Sequence, residues 1–182
     1  MIIADIVGFG NDAVFTSFAS VAPQGMTLPD NFLNLSNSEQ QNYLGINPYS
    51  TSYSAQGNKF VSSNGTGATY LWCTDYAYGR AIEKGLFQNN SGIGAQIRGH
   101  AGFWDDDTSQ YNRAVRQNSI VVWDRWKGGA GSVGHVAFVE KVYADGSFLI
   151  SESNWGSARM SFNVRHIKPG TNAFDSAKFI YL

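Results

Sequence analysis

The sequence predicts an α+β fold, with helices first and an antiparallel sheet after them. Three observations carry that prediction. The patterns of helical spacing lie between Thr69 and Gln117, while short β-rich runs fill the chain from Ser119 to Leu182. Asp145-Gly146, a strong hairpin signal, joins two of those runs directly. The chain has 182 residues, 43% of them hydrophobic, enough for one domain with a real core or a domain plus a short arm.

At the start of the chain, Ile2 to Val7 and Ala13 to Phe18 read as short strands. Between them Gly8-Phe9-Gly10-Asn11-Asp12 supplies the residues that accept positive φ. After Pro23, Gly25 and Pro29 no period is sustained until Ser36 to Tyr43. That stretch predicts a short helix capped by Ser36 or Asn37, with Glu39 in its first turn. Residues 1 to 60 hold one basic residue, Lys59, among many Asn, Ser, Gln and Gly. Residues 1–55 therefore read as an N-terminal arm or partial β-repeat, ahead of a domain over 56–182. A protein starting near Asn47 is expected to keep its melting behaviour and its chemistry.

From residue 68 the pattern firms. Thr69 to Gly85 predicts a helix, with Tyr76, Ala77, Arg80, Ala81 and Lys84 at helical spacing and Gly85 as its stop. A second, short helix is expected at Ile93 to Arg98. A third is expected from Thr108 to Gln117, with Asp105, Asp106 and Asp107 at its start, where the helix dipole favours acids. The predicted strands are Ser119 to Trp123, His135 to Val142, Ser147 to Ser153, Met160 to His166 and Lys178 to Leu182.

Composition narrows the function classes. Thirteen Lys and Arg against fourteen Asp and Glu leave a net charge of −1, which removes the electrostatic basis for binding nucleic acid. Phe, Tyr and Trp make up 14%, which fits a β-rich core or a groove of flat side chains for a glycan. A single cysteine, Cys73, excludes an internal disulfide and a cysteine-rich zinc site. No run approaches the length of a transmembrane span. Met1 to Ile6 lacks the basic region of a signal peptide and carries Asp5 within its apolar stretch, so no signal peptide is expected.

The residues that can do chemistry are Cys73 and one of three histidines. Cys73 lies near the beginning of the first long predicted helix of this region, where unpaired N–H groups favour an anion; the thiolate is the nucleophilic form. Such a cysteine needs a base within hydrogen-bond reach, held in turn by a third group. His135 opens a strand in which alternation puts Val136, Phe138 and Val142 on one face and His135 with Ala137 on the other. By the same parity Glu152 and Asn154 share a side of the next strand, from which either can hold the imidazole. His100 and His166 have no companion acid at useful spacing and read as ordinary loop and strand residues.

Four blocks then occur in order: Cys73-Thr74-Asp75-Tyr76-Ala77, Gly99-His100-Ala101-Gly102-Phe103-Trp104, Gly134-His135-Val136-Ala137-Phe138-Val139 and Ser151-Glu152-Ser153-Asn154-Trp155-Gly156. Together they resemble the CHAP domain, the cysteine, histidine-dependent amidohydrolase/peptidase family, over about residues 56 to 182. The resemblance implies a papain-like α+β fold, with helices packed on an antiparallel sheet. It implies cleavage of amide bonds in bacterial peptidoglycan, by an amidase between muramic acid and L-alanine or by an endopeptidase within the peptides. Cys73 would be the nucleophile, His135 the base and then the acid, and Glu152 the orienting group, with Asn154 sharing or replacing its role. Trp72 stands where many members have Gln, which leaves the Cys73 N–H as the assigned oxyanion donor. Residues 56–72 carry no acid where some members bind calcium, and the thiolate–imidazole chemistry has no place for zinc; no cofactor and no metal are expected. Separately, Ala4 to Phe15 is similar to one strand pair of an FG-GAP or VCBS-type repeat.

The expected partner is peptidoglycan or its stem peptides, bound by a monomer that is secreted or delivered to the cell wall or periplasm. A phage lytic or tail protein, an effector with its delivery machinery and an immunity protein, and a domain of a larger secreted protein all fit. Two other readings are carried: a related amidase on a soluble amide, and a non-enzymatic surface or binding module.

Overall fold

A computed structural model of the chain describes residues 27–62, 67–109, 112–156 and 158–182. The hairpin expected before Phe18, with its repeat-like stretch, lies outside the described residues.

Helix α1 (Asn37–Leu44) forms because its ends are satisfied locally. The Ser36 hydroxyl accepts the Glu39 N–H while the Glu39 carboxylate accepts the Ser36 N–H, and Gly45 ends the helix at φ +64°. Helix α2 (Cys73–Glu83) starts four residues later than the spacing predicts. Residues 69–72 stay outside it, because the Leu71 carbonyl accepts from Ser153 Oγ at 2.5 Å and Trp72 is extended as the N-cap. Cys73 is therefore the first helical residue. The short α3 (Ile93–Gln96) lies where a helix is expected.

The helix expected from Thr108 to Gln117 is not formed among the described residues. Instead α4 (Trp104–Thr108) contains the three aspartates, and Ser109 ends it in the left-handed region at φ +54°. Asn112 then bridges to Phe179, whose N–H bonds the Asn112 carbonyl at 2.8 Å, so this segment is drawn to the sheet rather than into a helix.

The five strands are β1 (Ser119–Trp123), β2 (His135–Val142), β3 (Phe148–Trp155), β4 (Ala158–Ile167) and β5 (Lys178–Tyr181). They form one antiparallel sheet in the order β4-β3-β2-β1-β5. On one face Ala77, Tyr78, Ala81 and Trp104 pack against Val122, Val136 and Phe138. On the other, Val121, Trp123, Ala137, Val139, Phe148 and Ile150 form a second cluster. A register shift between Val139 and Lys141 breaks the alternation, so Val142 joins the cluster of Ala137 and Val139 rather than that of Val136 and Phe138. Glu140, at the break, turns to α2 and accepts from Arg80 Nε at 2.8 Å.

Residues 27–55 are part of this packing. Phe32, Leu44, Ile46 and Tyr53 are buried in one cluster with Leu71, Tyr76, Leu149 and Phe162. Arg80, itself 1% exposed, donates to the Leu44 carbonyl at 2.6 Å, and Tyr53 donates its hydroxyl to Glu83 at 2.7 Å. These contacts argue that removing the chain before Asn47 costs stability, contrary to what its composition leads one to expect.

Candidate active site

The start of α2 and the start of β2 meet at one cleft. Gly134, just before β2, lets a third segment close on that cleft. It sits at φ +77°, and a Cβ there would come within 2.5 Å of the Gly102 backbone, so the segment before α4 lies directly on the entry to β2. Gly102 N–H bonds the Val133 carbonyl at 3.0 Å and fixes the contact.

His135, 3% exposed, is the first residue of β2, and Glu152, fully buried, lies on the same sheet face in β3. His135 Nε2 is 2.8 Å from a Glu152 carboxylate oxygen. From the start of α2, Cys73 acts on the imidazole through a side-chain hydrogen bond and its charge. Trp155 and Trp123 flank the ring at 4.6 and 5.9 Å between centroids. Burial disfavours the imidazolium, but the hydrogen bond and charge of Cys73, and then those of Glu152, outweigh it and raise the His135 pKa to about 9. Burial likewise pushes the Glu152 carboxyl up, and the bonds from His135 and Arg165 prevail and hold it below the usual range.

Because His135 binds its proton more tightly folded than unfolded, its protonation stabilises the fold fully below about pH 6.5. That contribution is lost as the pH rises through about 9. Since Cys73 is the main group holding the proton on, the His135 ring in Cys73→Ala is expected to titrate at lower pH than in the wild type. An NMR titration of the ring signals measures this, and an unchanged midpoint would separate the two residues.

Asp75 shapes the nucleophile's backbone. Burial raises its pKa to about 6, against hydrogen bonds from Thr74 and from the N–H groups of Trp72 and Asp75 itself. The carboxylate thereby takes the Trp72 N–H, and the Cys73 N–H, first in the helix, has no intrahelical partner and is available to an oxyanion.

The cleft beside Cys73 has a volume of about 490 Å³. Cys73 and Trp72 form one part of its wall, Gly129 to Gly131 another, and His135 with Trp155 a third. Among the described residues lining it there is no Asp, Glu, Lys or Arg. His100, set aside by spacing, also lines it and is exposed. His166 does not; its Nε2 lies 2.7 Å from Ser147 Oγ.

Asn154 lines the cleft but departs from the strand parity. The register shifts between Ser153 and Trp155, Asn154 adopts φ +61°, and its Oδ1 accepts the Met160 N–H at 3.1 Å. The hydrogen bond to His135 thus comes from Glu152, while the Asn154 carbonyl oxygen holds the β3–β4 turn.

Sequence reasoning missed the residues behind Glu152. Asn163 Nδ2 donates to Glu152 at 3.0 Å, and Arg165 donates from Nε at 2.5 Å and from its terminal NH2 group at 2.9 Å. The Arg165 guanidinium also lies 3.7 Å over the Trp155 ring. Alternation places Asn163 and Arg165 on one face of β4, a signal that was present. Which residue of β3 they oppose depends on the irregular turn at Trp155-Gly156, and spacing does not determine that register.

Known proteins resemble this chain in sequence and in fold. Residues 65–154 match the family model of the CHAP domain. The chain is similar to N-acetylmuramoyl-L-alanine amidase sle1 of Staphylococcus epidermidis, with 37% identity over 100 residues, 54% of this chain and 29% of that protein. An N-acetylmuramoyl-L-alanine amidase domain-containing protein of Staphylococcus aureus is 37% identical over 87 residues, 45% of this chain and 13% of its own length. Among solved structures, an N-acetylmuramoyl-L-alanine amidase from Staphylococcus aureus superposes with a TM-score of 0.50 and 30% identity, covering 67% of this chain and 33% of that one. The chain thus spans less than a third of the length of these curated relatives. The sheet, the helix packed on it and this likeness give the papain-like α+β fold that the sequence predicts.

Proposed function

Because this chain carries a CHAP domain, we propose that it is a cysteine hydrolase of bacterial peptidoglycan, cleaving the amide between muramic acid and L-alanine. The observation that carries the reading is Cys73 at the first turn of α2, hydrogen-bonded to a His135 that Glu152 holds, at the edge of an open cleft. The amidase names of the relatives support the choice of bond.

In this mechanism the Cys73 thiolate attacks the amide carbonyl, and the negative oxygen that develops turns to the Cys73 N–H. The imidazolium of His135 gives its proton to the leaving L-alanine nitrogen as the C–N bond breaks, and the lactyl acyl group remains on Cys73 as a thioester. Water then attacks the thioester. His135 takes its proton, the C–S bond breaks, and the thiolate–imidazolium pair is restored. Glu152 keeps the ring oriented and its charge compensated throughout. Apart from the reacting pair, the described residues lining the cleft carry no charge, which suits a bond whose immediate neighbours, lactyl and alanyl, are uncharged. The site of action is the cell wall, outside the membrane or in the periplasm; no helix among the described residues is long and apolar enough to cross a membrane.

Digestion of purified sacculi, with the new termini identified by mass spectrometry, tests the reading. Free L-alanine amino groups with intact sugars are expected. New termini within the peptides would make the protein an endopeptidase, and no new termini from any wall would overturn the proposal.

Hydrolysis is expected to proceed unchanged in EDTA, because the thiolate and imidazole supply the nucleophile and the proton shuttle. Two of the three clustered aspartates already have partners: Asp105 binds Lys178 Nζ at 2.8 Å and Asp107 accepts the Arg98 N–H at 2.9 Å. A loss of rate or melting temperature that calcium restores would contradict this.

A further inference from the structure

We propose that Arg165 is a positioning residue of the site, which acts through Glu152 and Trp155 to hold His135 in its working orientation. The proposal rests on the reading of Cys73 and His135 as the reacting pair. Arg165 belongs to none of the four sequence blocks and does not line the cleft, yet it joins two groups that touch His135.

Its planar guanidinium meets Glu152 with two donors, Nε on one carboxylate oxygen at 2.5 Å and an NH2 group on the other at 2.9 Å. The second oxygen is also the one that binds His135 Nε2 at 2.8 Å. A carboxylate free to rotate would carry that hydrogen bond away from the ring; the two-pronged contact fixes its plane. Asn163 fills a further acceptor position, so every neighbour of the buried carboxylate across β4 is a donor. The same guanidinium lies 3.7 Å over Trp155 and 5.4 Å from the Trp123 centroid, the two indoles that flank the imidazole. One side chain thus sets both the hydrogen-bond partner of His135 and the walls on either side of it.

The charge has a second consequence. The groups facing Glu152 are His135 from β2 and Asn163 and Arg165 from β4, and Cys73 faces His135 from α2. Arg165 is a permanent cation among them, so Glu152 remains ionised even when His135 gives up its proton to the leaving group.

The test compares Arg165→Met with Arg165→Lys. A 13C titration of the Glu152 carboxyl, which needs no substrate, is expected to move to higher pH by about one unit or more in Arg165→Met. Arg165→Lys keeps the cation and should move less. On sacculi, Arg165→Met should lose about tenfold to a hundredfold in kcat with KM nearly unchanged, because Arg165 touches no substrate. Arg165→Lys should recover part of that loss. A carboxyl midpoint equal to the wild type in Arg165→Met, with turnover falling only in step with the folded fraction seen by melting, would overturn the proposal. If the wild type cleaves no wall, the assignment of function fails, and the carboxyl titration still decides the role of Arg165.

Discussion

Cys73→Ala and His135→Ala are each expected to abolish wall hydrolysis, with a loss of about four orders of magnitude or more, while both variants still fold. His135→Ala should melt lower, because it removes a stabilising protonated imidazole and its buried bond to Glu152. The nucleophile and its base act as one unit, so removing either removes the covalent route entirely. The double variant should therefore be no worse than either single one. Cys73 is the only cysteine, which allows a direct control: alkylation of the wild type with one equivalent of iodoacetamide should reproduce the loss. Glu152→Gln should be milder than His135→Ala, since an amide can still accept a hydrogen bond from the ring. Asn154→Ala should be milder again, because its oxygen is bound to the Met160 N–H rather than to His135. Appreciable turnover by Cys73→Ala would remove the mechanism, and a larger loss in Asn154→Ala than in Glu152→Gln would make Asn154 the third member.

A protein starting at Asn47 is expected to lose most of its stability. The truncation strips out Phe32, Leu44 and Ile46, all buried against β3 and β4. Each such side chain contributes about 1.5–3 kcal/mol on burial, so the three together approach the 5–15 kcal/mol that holds a typical domain. The cut also removes the Leu44 and Gly45 carbonyls that accept from the buried Arg80. A charge left buried without its acceptors adds to the cost. A protein starting at Thr27, by contrast, keeps all of these contacts and should melt well above the Asn47 start. Calorimetry on the two truncations decides the matter: if the Asn47 start melts like the full chain, the cluster around Phe32 contributes little.

What the sequence determined by itself were the features written in neighbouring residues. Helix α1 is legible because Ser36, Glu39 and Gly45 satisfy its ends within one short segment. The five strands and the Asp145-Gly146 turn are legible because period-two patterns and turn chemistry are local. Cys73 and His135, with Glu152 or Asn154 as the third group, could be named as candidates because residue types with interlocking chemistry stood in order on elements whose faces parity assigns, and the resemblance to the CHAP domain placed them.

What only the tertiary structure decided depends on partners far along the chain. Ser153 binds the Leu71 carbonyl from 82 positions away, and so delays α2 until Cys73 is its first residue. Phe179 draws Asn112 to the sheet and cancels a helix that local propensity favours. Register shifts after Val139 and Ser153 turn Val142 and Asn154 off the faces that alternation predicts, and the β3–β4 register sets Asn163 opposite Glu152, with Arg165, opposite Ile150, reaching the same carboxylate diagonally. The physical reason is common to all of them. Local preferences differ by tenths of a kcal/mol to about one, whereas a buried carbonyl, carboxylate or guanidinium left without its partner costs several. Wherever such a group lies between segments distant in the chain, satisfying it outweighs the local pattern.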